Sequence, residues 1–149
     1  MLPLKKIVCP SDFSAAAQKA FTEALELVQH FRAELVLVHV VPVLPPAPTD
    51  PNISFEVPEY ERALHVDAER RLHALAAEAA GRGVTVRTVV GHGDAGAEIA
   101  RVAGEESADL IVIATHGTTG WRHALFGSVA EKVVRTAHRP VLTIPAPRE

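Results

Sequence analysis

The chain has little that would tie it together covalently or hold it in a membrane. It contains one cysteine, Cys9, so no internal disulfide can form and no thiolate metal centre can be built. A reducing compartment suits such a chain. No apolar run approaches the roughly 18 residues of a membrane span. The first ten residues hold two lysines but no apolar stretch of signal-peptide length, so a cytoplasmic protein is expected. An excess of one charge is also missing. Lys and Arg number 15 against 18 Asp and Glu, a formal net charge of −3 with His neutral. No strong field for nucleic acid or an anionic membrane follows, and neither partner is expected. Any phosphate bound here must be held by local geometry.

Several catalytic signatures are absent as well. There is no G-x-x-x-x-G-K-[ST], which excludes a P-loop of the Walker type. There is no G-x-S-x-G, which argues against an α/β-hydrolase nucleophile. The eight histidines are scattered, and no metal-ligand spacing emerges. His39 falls in an apolar run and reads as a hydrogen-bonded core residue. Cys9 reads as a small buried hydrophobe.

What is present is an ordinary globular balance, with 48% apolar and 22% charged residues in 149. That length can bury a core as one domain, residues 1–149. Lys5–Cys9 ends in Ile7-Val8-Cys9 and predicts a short buried strand. Ser11-Asp12-Phe13-Ser14 carries helix-start chemistry. From Ala15 to Phe31, Ala17, Phe21, Leu25, Val28 and Phe31 recur at helical spacing. Glu34–Val41 is β-branched and nearly all apolar, a strand buried on both faces. Six prolines fall between Pro42 and Pro58 and predict a long loop, neither helix nor inner strand. It reads as a spacer or as a functional segment.

Glu59–Ala80 predicts a long helix striped by Leu64, Ala68, Leu72, Leu75 and Ala79, ended by Gly81 and Gly83. Val84–Val90 is a third strand. Asp94 can cap a short helix carrying Ile99, Val102 and Ala103, which stops near Gly104. Leu110–Ile113 is a fourth strand. Ser128 opens a helix whose stripe continues through Val133, Val134 and Ala137, and Pro140–Ile144 is a fifth strand. Alternating strands and helices predict an α/β sandwich on a parallel sheet. Ligands in such folds sit beyond the carboxyl ends of the strands, where strand order reverses.

Two glycine patterns compete for that position. Gly91-His92-Gly93-Asp94-Ala95-Gly96 is literally G-x-G-x-x-G. It lies on the third strand, and the next strand ends near Thr115 and His116 without the acid a dinucleotide ribose needs. A tight turn with Asp94 as helix cap is the better reading. The second pattern runs from Ala114 to Ala130. Gly117 and Gly120 permit positive φ and close approach of an anion to backbone. Ser128-Val129-Ala130-Glu131 fits a capping box after Gly127. It serves a well-made helix start, or it brings the Val129 and Ala130 amides toward a phosphate shared with Gly117 and Gly120. Asp12, after the first strand, either caps the first helix or accepts from a ligand's amino or hydroxyl groups.

These residues resemble the universal stress protein family along essentially the whole chain. The likeness rests on Cys9-Pro10-Ser11-Asp12-Phe13-Ser14, on Leu37-Val38-His39-Val40, on Ala114-Thr115-His116-Gly117 with nine residues before Gly127-Ser128, and on Val129-Ala130-Glu131-Lys132-Val133-Val134-Arg135 with Arg139-Pro140-Val141-Leu142. The resemblance implies a Rossmann-like three-layer α/β sandwich, a five-stranded parallel sheet in the order 3-2-1-4-5, and a homodimer through the last strand. ATP-binding members carry G-x-x-G, nine residues, then G-S or G-T. Here the first of those glycines is Ala114, which adds a methyl and keeps the amide. Carried over by position, Pro10, Asp12 and Val40 would line the adenine and ribose pocket. Ala114, His116, Gly117 and Gly120 would follow the ribose and phosphates, and Gly127, Ser128, Val129 and Ala130 would hold the phosphates. His116 would alternatively only shape the turn.

The expectation is therefore an ATP-binding stress-response module, with Mg2+ on the phosphates and an unidentified protein partner. No general base stands out, so efficient hydrolysis is not expected. Two other functions remain open: a nucleotide-free dimer acting through protein contacts, and a slow ATP hydrolase in which Asp12 helps to hold a cation.

Overall fold

The computed structural model describes residues 2–45, 57–116 and 127–146. Strands and helices alternate as β1 (Lys6–Pro10), α1 (Ala15–Phe31), β2 (Glu34–Val41), α2 (Val57–Gly81), β3 (Val86–His92), α3 (Ala95–Glu105), β4 (Leu110–Ala114), α4 (Ser128–Thr136) and β5 (Val141–Ile144). The five strands form one parallel sheet in the order β3-β2-β1-β4-β5.

Period-two alternation divides the inner strands between two cores. Ile7, Cys9, Leu35, Leu37 and Val112 pack with Phe21, Leu25 and Leu72 of α1 and α2. Val8, Val36, Val38, Ile111 and Ile113 pack with Ile99, Val102, Ala130 and Val133 of α3 and α4. Residues that read as one apolar run thus serve opposite faces, as a strand covered on both sides requires.

The opposite, amino-terminal edge of the sheet is pinned by charge. Lys6 pairs with Glu34 at 3.6 Å and Glu106 at 3.1 Å, and Arg87 pairs with the same two acids. Asp109 accepts the backbone N–H of Lys5 at 2.8 Å and of Lys6 at 2.9 Å through one oxygen.

Strands β1, β4 and β5 shift by one residue at one or both ends from the sequence reading, and four larger differences follow. The third strand is Val86–His92 rather than 84–90. Val84 still donates to Ala79 at 3.1 Å in the α2 terminus, where Gly83 takes φ +78. At the other end Gly91 and His92 pair with Val40 and Val41, which lengthens the strand. Helix α2 begins at Val57 and takes in Pro58, expected to be loop. Proline suits a first helical turn, where its missing N–H is not needed. Val134, placed on the α4 stripe, is 51% exposed, while Val133 and Ala137 are buried. Ser128 is the first residue of α4 rather than its cap. The cap is Gly127, which has no side chain to accept a hydrogen bond, so the expected capping box does not form.

Candidate functional site

A cleft of about 270 Å³ opens at the carboxyl end of the sheet. Its walls come from the ends of β1, β2 and β4 and from the starts of α3 and α4. Strand β1 lies between β2 and β4, so the chain runs outward to both sides from this point. That is the reversal of strand order at which open α/β sheets bind ligands.

The first wall is the turn after β1. Ser11 extends the ladder by donating its N–H to Val38 at 2.8 Å. Its hydroxyl accepts from the Phe13 N–H at 3.1 Å, and Phe13 takes a left-handed φ of 64. That conformation disfavours a bulky side chain, and packing offsets the strain. The Phe13 ring stacks on His39 with centroids 4.6 Å apart, and the Arg71 guanidinium lies 5.4 Å from the ring centroid. His39 Nδ1 donates to the Ser11 carbonyl at 2.7 Å, which locks the end of β2 to this turn. Asp12 Oδ1 accepts the Ser14 N–H at 3.0 Å, a local Asx turn. The cap of α1 is Ser14, whose Oγ accepts from Ala17 at 3.1 Å. Asp12 is therefore not the helix cap, and its exposed carboxylate stands at the cleft wall.

The second wall joins β4 to α4. Ala114 is the last residue of β4 and pairs with Ile144. It lies outside the positive-φ set, so its backbone does not demand glycine. Thr115 is buried, with Oγ1 2.9 Å from His116 Nδ1. The Gly127 N–H donates to the Thr115 carbonyl. A Cβ on Gly127 would stand 3.0 Å from that same oxygen and 3.7 Å from the His116 Cα. Glycine is needed there for close approach, since its φ of −70 suits any residue. The first intrahelical bond of α4 runs from the Glu131 N–H to the Gly127 carbonyl at 3.0 Å. Ser128, Val129 and Ala130 therefore carry the amides that a helix leaves without internal acceptors.

The start of α3 is built differently. Asp94 caps it, accepting from Ala97 at 2.9 Å, and pairs with Lys132 of α4 at 2.9 Å. The Lys132 hydrogen bond, first, and the Ala97 amide hold the Asp94 carboxyl below its ordinary range. A Cβ on Gly96 would meet the Lys132 stem at 2.9 Å, so glycine lets α3 and α4 pack here. Gly93 takes φ +103. The Gly91–Gly96 pattern thus makes a strand end, a turn and a helix contact, with Asp94 as cap.

Of the expected site residues, Pro10, Asp12, Val40, Ala114, His116, Gly127, Ser128, Val129 and Ala130 all line this one cleft. Gly117 and Gly120 lie outside the described residues. Ser11, His39, Ala95, Ile99 and Thr115 line it too and were not expected. His39 is hydrogen-bonded as expected and also reaches the cleft. Its place one residue before Val40, at the end of a buried strand, was the available signal. Among the described residues, no group of three His, Cys, Asp or Glu gathers to hold a metal.

The model of the universal stress protein family matches residues 3–145. The chain belongs to that family. It is 34% identical over 145 residues to universal stress protein MJ0531 of Methanocaldococcus jannaschii, covering 97% of this chain and 84% of that one. The solved structure of MJ0577 from the same organism superposes with a TM-score of 0.83 at 27% identity, covering 98% of this chain and 99% of that one. A universal stress protein from Arabidopsis thaliana, solved with AMP bound, shares the fold with a TM-score of 0.69 at 20% identity, over 96% of this chain and 92% of that one. The order β3-β2-β1-β4-β5 agrees with the order expected from the family.

Proposed function

We propose that this universal stress protein binds an adenine nucleotide, ATP in the first instance, in the cleft at the carboxyl end of the sheet. One observation carries the reading: the start of α4 opens into that cleft with a glycine, Gly127, at its cap position. The neighbouring α3 closes its own terminus with Asp94. A helix start offers several N–H groups and about half a positive charge to a phosphate. Gly127, Ser128, Val129 and Ala130 hold the phosphates. Gly117 and Gly120 belong to the same proposal by sequence. Pro10 and Val40 line the base and ribose, and Asp12 accepts from ribose hydroxyls. His116, bridged to Thr115, shapes the turn that carries Ala114.

The extended backbone at Ala114 supports binding despite the missing glycine, because the amide is retained and no positive φ is called for. Mg2+ would arrive on the phosphates rather than in a cage of protein ligands. Asp12 is the carboxylate closest in character to a cation partner. The reading is a regulatory binding module rather than an efficient hydrolase. In this role the protein is a cytoplasmic stress-response component whose nucleotide state is read by a protein partner.

A homodimer through β5 belongs to the same proposal. That strand is a sheet edge, and Leu142 on it is 40% exposed. An apolar residue on an open edge favours pairing with a second copy.

The test is calorimetry with ATP, paired with mass spectrometry of the purified protein for retained nucleotide. Saturable binding near one nucleotide per chain supports the proposal. No heat and no thermal shift at millimolar ATP favours the nucleotide-free dimer. Steady phosphate release, lost in Asp12→Asn while binding persists, favours the slow hydrolase.

A further inference from the structure

A second cluster of titratable groups lies away from the cleft's phosphate end. His65 of α2 and His92 at the end of β3 face each other, Nδ1 to Nε2, at 3.2 Å. Their ring planes differ by 6° and their centroids are 5.1 Å apart. His65 Nε2 lies 3.3 Å from Glu69 Oε1, one turn along α2. On the other side Glu98 of α3 accepts from the His92 backbone, and Arg101 binds Glu98 at 2.8 Å. One turn earlier on α2 stand Glu61 and Arg62. The chain Glu69–His65–His92 therefore joins α2 to the corner between β3 and α3.

A nitrogen-to-nitrogen hydrogen bond between imidazoles needs one hydrogen and one lone pair. With both rings neutral, His65 keeps its hydrogen on Nε2 toward Glu69, and bare Nδ1 accepts from His92 Nε2–H. With one added proton a single hydrogen still bridges the two nitrogens, donated by whichever ring is cationic to the bare nitrogen of the other. With two added protons both nitrogens carry hydrogen and no acceptor remains. Two like charges then face each other at hydrogen-bond distance, and the link must open.

We propose that the His65–His92 pair is a proton-operated clamp that ties α2 to the β3–α3 corner at neutral pH and releases it in acid. The corner it holds carries Gly93, Asp94 and Ala95, and Ala95 lines the cleft. The clamp stands independently of nucleotide binding.

The test is a double-mutant cycle on the whole chain with His65→Ala, His92→Ala and both, read by denaturant unfolding at pH 7.5 and pH 5.0. At pH 7.5 the two positions are expected to couple by roughly five-fold in the unfolding equilibrium constant, the size of one net hydrogen bond. At pH 5.0 that coupling is expected to vanish or reverse sign. His92→Gln, which can both donate and accept, should retain coupling to His65 at both pH values. Equal coupling at both pH values in the wild-type pair, or none at pH 7.5, overturns the clamp.

Discussion

The amide of Gly127 donates to the carbonyl of Thr115, and a Cβ on Gly127 would lie 3.0 Å from that same oxygen. Backbone meets backbone at the point where β4 hands over to α4. The obstacle to a side chain is a carbonyl held in place by its neighbours, not a movable group. Gly127→Ala is therefore expected to destabilise the fold by about 1–3 kcal/mol, as overpacking does. It should also weaken ATP binding, since the first turn of α4 must shift. Denaturant unfolding and calorimetry of the same variant measure both.

Gly104 is the contrasting position. It lies within α3 with nothing within 4 Å of where a Cβ would stand and no positive φ. Gly104→Ala should stabilise the protein by up to about 0.5–1 kcal/mol, the full value glycine costs within a helix, since Gly104 stands in the last turn of α3. A rise in Tm of roughly 1–4 °C is the expected readout at this chain length. A fall in Tm would contradict the packing described for α3.

Asp109 makes stability depend on pH. The amides of Lys5 and then Lys6 hold its carboxyl below the ordinary carboxylate range. A depressed acid contributes stability above its unfolded value, and loses it as pH falls through the folded value. Between pH 7 and about pH 4, the ordinary carboxylate value, Asp109→Ala should be less stable than wild type by about 1–2 kcal/mol. Below that the difference should shrink as the wild-type carboxylate is protonated. Unfolding curves from pH 7 to pH 2 check the sign.

Burial pushes the Cys9 thiol up to about 12. The thiolate is the reactive form, so at pH 8 native Cys9 should resist alkylation. Labelling should occur only through opening of the fold. A labelling time course by mass spectrometry, with and without denaturant, distinguishes this from a surface thiol.

The elements themselves were legible in the sequence because local chemistry decides them. Apolar strand runs, helical stripes and the Asp94 cap all act over a few residues. Strand order is different. Alternating strands and helices do not say where β1 lies relative to β4, and 3-2-1-4-5 came from family resemblance. Boundaries moved where tertiary partners won. Gly91 and His92 joined β3 because Val40 and Val41 offered a ladder. The cap fell to Gly127 rather than Ser128, at a point where a Cβ would crowd the Thr115 carbonyl. Asp12 and Ser14 both read as helix starts, and only their geometry separated the turn from the cap. The His65–His92 pair had no sequence signal, since the two residues stand on different elements.

The claim that most depends on this arrangement is nucleotide binding at the start of α4, beside Gly127. Titration calorimetry with ATP and Mg2+, run on wild type and on Gly127→Val, tests it most directly, with circular dichroism to verify that the variant is folded. Saturable binding near one nucleotide per chain, lost or weakened at least ten-fold in a folded Gly127→Val, is the predicted result, roughly the loss of one charge-assisted contact. Absence of heat at millimolar ATP, or equal affinity in both proteins, would contradict it.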